Sequence, residues 1–200
     1  MRRALYLLVA FGLGVALTLP AFAQEVQTTS IVSFEQPVLI TSIGQSAGAM
    51  MAMVLAQKAG LSSFVYKQRA SIKDVEVAKT LIAVLGASGK GLGAAGVDID
   101  SEIAWGKKLF AHAKELKIPI IAMQIEGEVR RGPMSDRIIN ALAPQSDYLI
   151  VKDSANKDGL FTKISTENKI PITFVKTALD VVPILQEIFP AKEKGDMNNG

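Results

Sequence analysis

The feature that most constrains the fold of this chain is a repeated alternation of short apolar runs with longer amphipathic stretches. The runs are rich in β-branched residues and nearly continuous, which is typical of strands buried on both faces of a sheet. Five clear runs and a weaker one at 64–66 are present; the clear ones span 38–43, 81–85, 118–123, 148–151 and 172–175. We therefore predict five or six strands.

Amphipathic stretches with helical spacing fill the gaps between these runs, at 47–59, 100–117, 133–142, 157–168 and 179–188. Regular alternation of strand and helix predicts βαβ units, and hence a parallel sheet covered by helices on both faces. The predicted fold class is α/β: a three-layer Rossmann-like or flavodoxin-like domain with a mainly parallel, five- to six-stranded sheet. Met50, Met51 and Met53 are expected to pack in its core.

The first 23 residues have the three parts of a secretory signal peptide. Arg2 and Arg3 form the basic region, an apolar core follows at 5–19, and Ala21-Phe22-Ala23 gives a small-x-small cleavage site before Gln24. An uncleaved membrane anchor is the alternative. We expect an exported chain, periplasmic or extracellular, in which membrane contact ends with cleavage. The rest divides into an extended lead-in at 24–36, one α/β domain at 37–190 and a disordered tail at 191–200.

Composition narrows the function classes. The chain has no cysteine, so it has no disulfides and depends on its core for stability. Loss of Arg2 and Arg3 with the signal peptide would leave 20 of the 22 basic residues against 19 acidic ones. A balanced charge gives no reason to expect nucleic acid as a partner. No motif calls for a metal or another cofactor, and none is expected.

Polar residues collect in five segments, at 42–48, 86–98, 124–136, 152–159 and 176–180. Each follows a predicted strand, so all five would meet at the carboxyl edge of the sheet, where open parallel sheets bind ligands. The turns at the opposite edge are short and contain fewer glycine, hydroxyl and basic residues. This asymmetry predicts a binding site at the carboxyl edge.

The stretch 86–96 within the second of these segments is predicted to be a long loop rich in glycine, and it spells out a dinucleotide fingerprint at Gly91, Gly93 and Gly96. The match begins well after the strand, and no acidic residue ends the following strand to hold a ribose. It is not a phosphate-binding Walker loop, because Lys90 is followed by Gly91. We expect a flexible or ligand-covering loop in which Ser88 and Lys90 contribute to an anion site.

Arg130 and Arg131 precede a helix start at Gly132-Pro133, a favourable position for a carboxylate or phosphate. Glu126 and Glu128 in the same segment could instead pair with the two arginines. A similar, less specific set follows in the next segment, made of Lys152, Asn156, Lys157 and Asp158, and Asn156 could also cap the next helix.

The stretch 44–48 reads Gly-Gln-Ser-Ala-Gly, the G-x-S-x-G pattern of a hydrolase nucleophile elbow. The base that Ser46 would need is missing, because the single histidine, His112, falls late in a helix that returns to the far edge of the sheet. A dyad with Lys90 or Lys176 stays open on sequence alone. We favour a structural reading, in which glycine makes a tight turn and serine caps a helix.

Five strings carry a family resemblance: PVLITSIGQS, GASGKGLGAAGVDID, GEVRRGPMSD, DYLIV and NKDGLF. With them the chain resembles the DUF6305 family, small secreted bacterial proteins whose domain has no assigned function. The resemblance spans about residues 37 to 189. It implies an α/β sandwich and a signal peptide, and it brings no activity or ligand.

The leading hypothesis is an exported protein that binds a small anionic molecule without catalysis. Eight residues are expected to supply the contacts: Gln45, Ser46, Ser88, Lys90, Arg130, Arg131, Asn156 and Lys157. The alternatives are a serine hydrolase that uses Ser46 and an envelope scaffold that meets another protein. A homodimer or an envelope protein partner could complete the site.

Overall fold

A computed structural model describes residues 32–190. Its centre is a six-stranded sheet in the order β2-β1-β3-β4-β5-β6, in which all neighbouring strands are parallel. The strands are β1 (Val38–Ile43), β2 (Phe64–Lys67), β3 (Thr80–Leu85), β4 (Ile120–Gln124), β5 (Tyr148–Lys152) and β6 (Ile172–Val175).

Helices connect every consecutive pair of strands, and one follows the last strand. They are α1 (Gly48–Lys58), α2 (Ile72–Glu76), α3 (Gly89–Ala95), α4 (Ile99–Glu115), α5 (Pro133–Leu142), α6 (Leu160–Asn168) and α7 (Val181–Ile188). Short 3₁₀ turns follow β4, β5 and β6 at Glu128–Arg130, Asp153–Ala155 and Ala178–Asp180. Another, Ala143–Gln145, ends the α5 segment.

Two apolar cores lie on the two faces of the sheet. Leu39, Leu81 and Ile120 face a core completed by α4, α5 and α6, with Phe110 and Phe161 among its largest side chains. The opposite face packs against α1 and α7. Every residue of β1 and β3 is buried, because helices cover these central strands on both sides.

The predicted fold class is confirmed: six parallel strands flanked by helices on both faces make a three-layer α/β fold. The weak run at 64–66 is a real strand, β2, whose residues alternate between half-buried and exposed because it lies at the edge of the sheet. The predicted signal peptide, most of the lead-in and the tail lie outside residues 32–190. No helix within 32–190 combines the length and the apolar character needed to span a membrane.

Two expectations were wrong. The segment 86–96 is not a loop throughout, because Gly89–Ala95 forms α3, capped at its start by Ser88 and anchored in the core by Leu92. Met50 and Met51 do not pack in the core either. These residues are 54% and 37% exposed, because the small residues of α1 face the sheet. Met53 is partly buried and packs against the core, as expected.

Candidate functional site

The strand order reverses direction between β1 and β3, which makes the carboxyl ends of these strands the expected ligand crevice. Here the backbone closes that crevice. The Gly86 amide donates to the Ile43 carbonyl at 3.0 Å, and the Ser88 amide donates to the Gly44 carbonyl at 2.8 Å. A β-bridge between Gln45 and Ala87 continues the contact. The loop after β1 and the loop after β3 are therefore bonded directly to each other, a contact that we call the joint.

Close backbone approach explains two of the glycines at this joint. A Cβ on Gly44 would come within 2.4 Å of the Gly86 carbonyl oxygen, and Gly44 has a φ of +107°. A Cβ on Gly91 would come within 2.1 Å of the Gln45 carbonyl oxygen. The glycine that opens the fingerprint pattern is thus needed for packing between α3 and the loop after β1.

Ser46 lies inside this joint. It is 1% exposed, and its Oγ accepts a hydrogen bond from the Gly48 amide at 3.3 Å. His112 lies ten residues along α4 from Glu102, a residue that contacts Gly44, so it is about 15 Å farther down the helix axis. It faces Glu76 and Glu115 there. These contacts do not favour the hydrolase alternative.

Gln45 is held by a buried carboxylate that has no exposed surface, Glu102 on α4. Glu102 Oε1 accepts from Gln45 Nε2 at 2.7 Å and from the Gly44 amide at 3.2 Å. Its Oε2 accepts from Arg69 Nε at 3.2 Å, and the Arg69 guanidinium stacks over the Trp105 ring at 4.4 Å. Gln45 has a φ of +57°, a conformation that a non-glycine residue adopts at a cost, and these bonds stabilise it.

Arg130 pairs with Glu126, as one reading of the sequence anticipated. Arg130 Nε donates to Glu126 Oε1 at 3.1 Å, and its Nη1 donates to the Ala87 carbonyl at 3.2 Å. The Glu126 carboxylate packs against Gly48 and Gly86, since a Cβ on Gly48 would lie 2.6 Å from Oε2. The first turn of α1 therefore already faces a carboxylate of the protein itself.

Arg131 does not pair with Glu128. It donates to Asp136 through Nε at 2.6 Å and to both carboxylate oxygens of Asp158, and it also bonds the Ala155 carbonyl. The hydrogen bonds that Arg131 donates to Asp158 and Asp136 raise the pKa of its guanidinium above the usual value. The bond from Arg131 lowers the pKa of Asp158 from 3.8 to about 2. Arg131 thus ties the start of α5 to the start of α6.

The other predicted contacts have local roles. Asn156 Oδ1 accepts from the Phe161 and Thr162 amides and so caps α6, and Lys157 pairs with Glu128 in an exposed ion pair. Ser88 Oγ accepts from the Gly91 amide. Within residues 32–190, Lys90 makes no ion pair and no side-chain hydrogen bond. The eight residues all lie near the carboxyl edge, but most of their polar groups bond to the protein itself.

A hollow of about 370 Å³ opens beside the closed crevice, between the loop after β3 and the loop after β4. Ala87 and Gly89 line one side, and the segment 129–135 lines the other, with Val129 83% exposed. Of the eight predicted residues, Arg130 and Arg131 line it. A larger cavity, about 880 Å³, lies at the opposite edge, away from all eight residues, and is lined by 33–37, 59–63, Gln186, Phe189 and Pro190.

A family model described as "Domain of unknown function (DUF6305)" matches residues 35–189. The chain belongs to the DUF6305 family. The match runs from just before β1 to the end of α7, so it includes the whole sheet and both cores of this DUF6305 domain. No curated protein gives a significant match.

Three residues that shape the site in this DUF6305 domain were not predicted. Glu102 carried no signal, because it lies 58 residues from Gly44 in sequence. Ser135 Oγ accepts from the Ala87 amide at 2.9 Å, and buried Gln124 bonds the Gly127 backbone through both ends of its amide. A glutamine at the end of a fully buried strand was the one available hint. Residues 32–190 contain no His, Cys, Asp and Glu group suited to a metal.

Proposed function

We propose that this chain is an exported, non-catalytic binding protein that holds a small anionic molecule in the hollow beside β3 and β4. One observation carries the proposal. Arg130 is fixed by the bonds from Nε and Nη1, while Nη2 has no acceptor among residues 32–190. A guanidinium held in this way has lost its conformational freedom in advance, so binding costs less entropy.

The surroundings of Arg130 support an anion of modest size. A volume of about 370 Å³ lies within the range of small-molecule sites. The hollow includes the start of α5, where the Met134 and Ser135 amides follow Pro133 and favour negative charge, while the Gly132 amide already donates to Asp136 Oδ1 at 3.4 Å. Lys90 directly follows Gly89, which lines the hollow, and adds a cation that has no ion-pair partner among residues 32–190. Val129 and Met134 offer apolar contact, which suits a carboxylate with a short hydrocarbon part.

We propose a structural role for Gln45 and Ser46 in place of the ligand contact expected from the sequence. Both are buried, at 8% and 1% exposure, and they form the joint beneath the rim. Arg131 is saturated by Asp136, Asp158 and Ala155 and orients the wall of the hollow. We therefore assign direct contact with the anion to Arg130 and Lys90.

Isothermal titration of the purified chain against simple carboxylates, inorganic phosphate and nucleotides tests the proposal. Arg130→Gln should weaken binding by at least tenfold, and Lys90→Gln should weaken it less. Arg137→Gln is the matched control, because Arg137 pairs with Asp100 on the outside of α5 and lies away from the hollow. Failure of every anion to bind, or equal loss in the Arg137 variant, would overturn it. Labelling of Ser46 by a fluorophosphonate would instead favour the hydrolase.

A further inference from the structure

Helix α1 is apolar on all sides. Its inner face packs Ala49, Ala52, Leu55 and Ala56 against the sheet. Its outer face carries apolar side chains as well, and of its 11 residues only Gln57 and Lys58 are polar. A helix that is apolar all round is normally covered on both sides, whereas the outer face of α1 is uncovered in the single chain.

The outer face of α1 forms a groove with the turn that precedes α7. Met50, Met51 and Val54 line it from α1, and Leu179, which is 63% exposed, lines it from the turn. The groove has a volume of about 420 Å³, and Lys58 is the charged residue that borders it. Methionine is common on surfaces that bind other proteins, because its flexible side chain adapts to the shape of the partner.

The charges at the two ends of this groove are opposite. Lys58 lies in the last turn of α1, and it has no ion-pair partner within residues 32–190. Asp180 directly follows Leu179 at the other end, where α1 and α7 both begin. Asp180 is exposed, and only its Oδ2 is engaged, by the Thr177 amide at 2.8 Å. A surface with this arrangement is complementary to itself when it is turned by 180°.

We infer that the groove is a self-association surface, in which two copies of the chain lay α1 against α1 in antiparallel orientation about a twofold axis. Lys58 then meets Asp180 of the partner subunit, and the twofold axis repeats the contact at the other end. Met51 and Val54, near the middle of α1, lie close to the axis. This surface is separate from the hollow that binds the anion, so either proposal can fail without the other.

The small apolar area of the groove limits the affinity of the dimer. Four partly exposed apolar side chains bury less than the roughly 800 Å² that each partner gives to a standard interface. We therefore expect a reversible dimer whose population rises with concentration.

Sedimentation velocity over a range of concentrations tests the inference on the exported chain. Val54→Asp places a carboxylate near the twofold axis and should raise the dimer dissociation constant by at least tenfold. Val77→Asp is the matched control, since Val77 is 71% exposed at the end of α2 and should leave association unchanged. A wild-type chain that stays monomeric at every concentration would overturn the inference, as would equal effects of the two variants.

A charge exchange tests the orientation. Lys58→Asp and Asp180→Lys should each weaken the dimer, and the double variant should recover most of the lost affinity. Circular dichroism of each variant shows whether the Asp180 substitution disturbs folding. The double variant contains the same substitution, so a recovery of affinity cannot come from repair of the turn. A double variant no better than the single ones would rule out the antiparallel pairing.

Discussion

The Arg131 guanidinium and the Asp158 carboxylate lie side by side in a two-bonded ion pair, with Nη1 3.0 Å from Oδ1 and Nη2 2.7 Å from Oδ2. Asp158→Asn keeps the size of the side chain and removes its charge. The carboxylate is 58% exposed and therefore screened by water, so we expect the free energy of unfolding at pH 7 to fall by about 1 kcal/mol. Urea denaturation measures the change. Asp153→Asn is the control and should have no effect, because Asp153 is exposed and has no ion-pair partner within 32–190.

The same pair predicts a pH dependence. The pKa of Asp158 is lowered from 3.8 to about 2 in the folded chain, so the pair contributes fully above 3.8 and is lost as the pH falls through 2. The difference in unfolding free energy between the wild type and Asp158→Asn should be constant at neutral pH and disappear in strong acid. A difference that grows as the pH falls would contradict this assignment.

Glu102 is expected to be the most sensitive acidic residue among 32–190. Glu102→Ala leaves the Gly44 amide, the Gln45 amide group and Arg69 without their acceptor in a buried site, which should lower the unfolding free energy by about 3 kcal/mol. Glu102→Gln retains an acceptor oxygen and should cost roughly half as much. Thermal and chemical denaturation compare both with Glu128→Ala, which breaks only an exposed pair.

Two glycines of α3 provide a matched pair. Gly93→Ala meets no atom within 4 Å, so it should stabilise the chain by up to about 1 kcal/mol through helix propensity. Gly91→Ala drives a methyl group against the Gln45 carbonyl oxygen and should destabilise by about 2 kcal/mol. Urea midpoints for the two variants should shift in opposite directions. Equal shifts would mean that α3 does not pack against the loop after β1.

Export can be tested directly. The sequence predicts that a bacterium expressing the full chain removes the first 23 residues, so mass spectrometry of the envelope fraction should give a mature chain that starts at Gln24. A protein that keeps Arg2 and Arg3 and stays with the membrane would favour the uncleaved anchor. Ala23→Leu should slow processing, because the cleavage site requires a small residue there.

The strands could be predicted because a strand covered on both faces needs an unbroken apolar run, and that pattern is visible in one dimension. Helix α3 could not be predicted, because the four glycines between 89 and 96 give this stretch a low helix propensity. It forms because Ser88 caps its first turn and Leu92 reaches the core, and both contacts depend on the finished fold.

The candidate site was predictable only where its contacts are local. Arg130 and Glu126 are four residues apart, and their pairing was one of the alternatives that the sequence offered because both lie in the same segment. Arg131 and Asp158 are 27 residues apart, and the sequence offered nothing to distinguish Asp158 from the nearer Glu128. The closed joint after β1 and β3 was also unpredictable, since it depends on backbone approach. The order of the strands predicts that these two loops are neighbours, but the sequence does not predict the distance between their backbones.

The parallel sheet has a consequence for the timing of folding. No two neighbouring strands are joined by a hairpin; Leu149 pairs with Ile172 and Val38 with Thr80, separations of 23 and 42 residues. A chain that must gather such distant segments folds slowly, because loop closure precedes any gain from strand pairing. If the chain is exported as its sequence predicts, slow folding would leave the precursor unfolded for longer, and an unfolded chain is what passage through a narrow translocation pore requires.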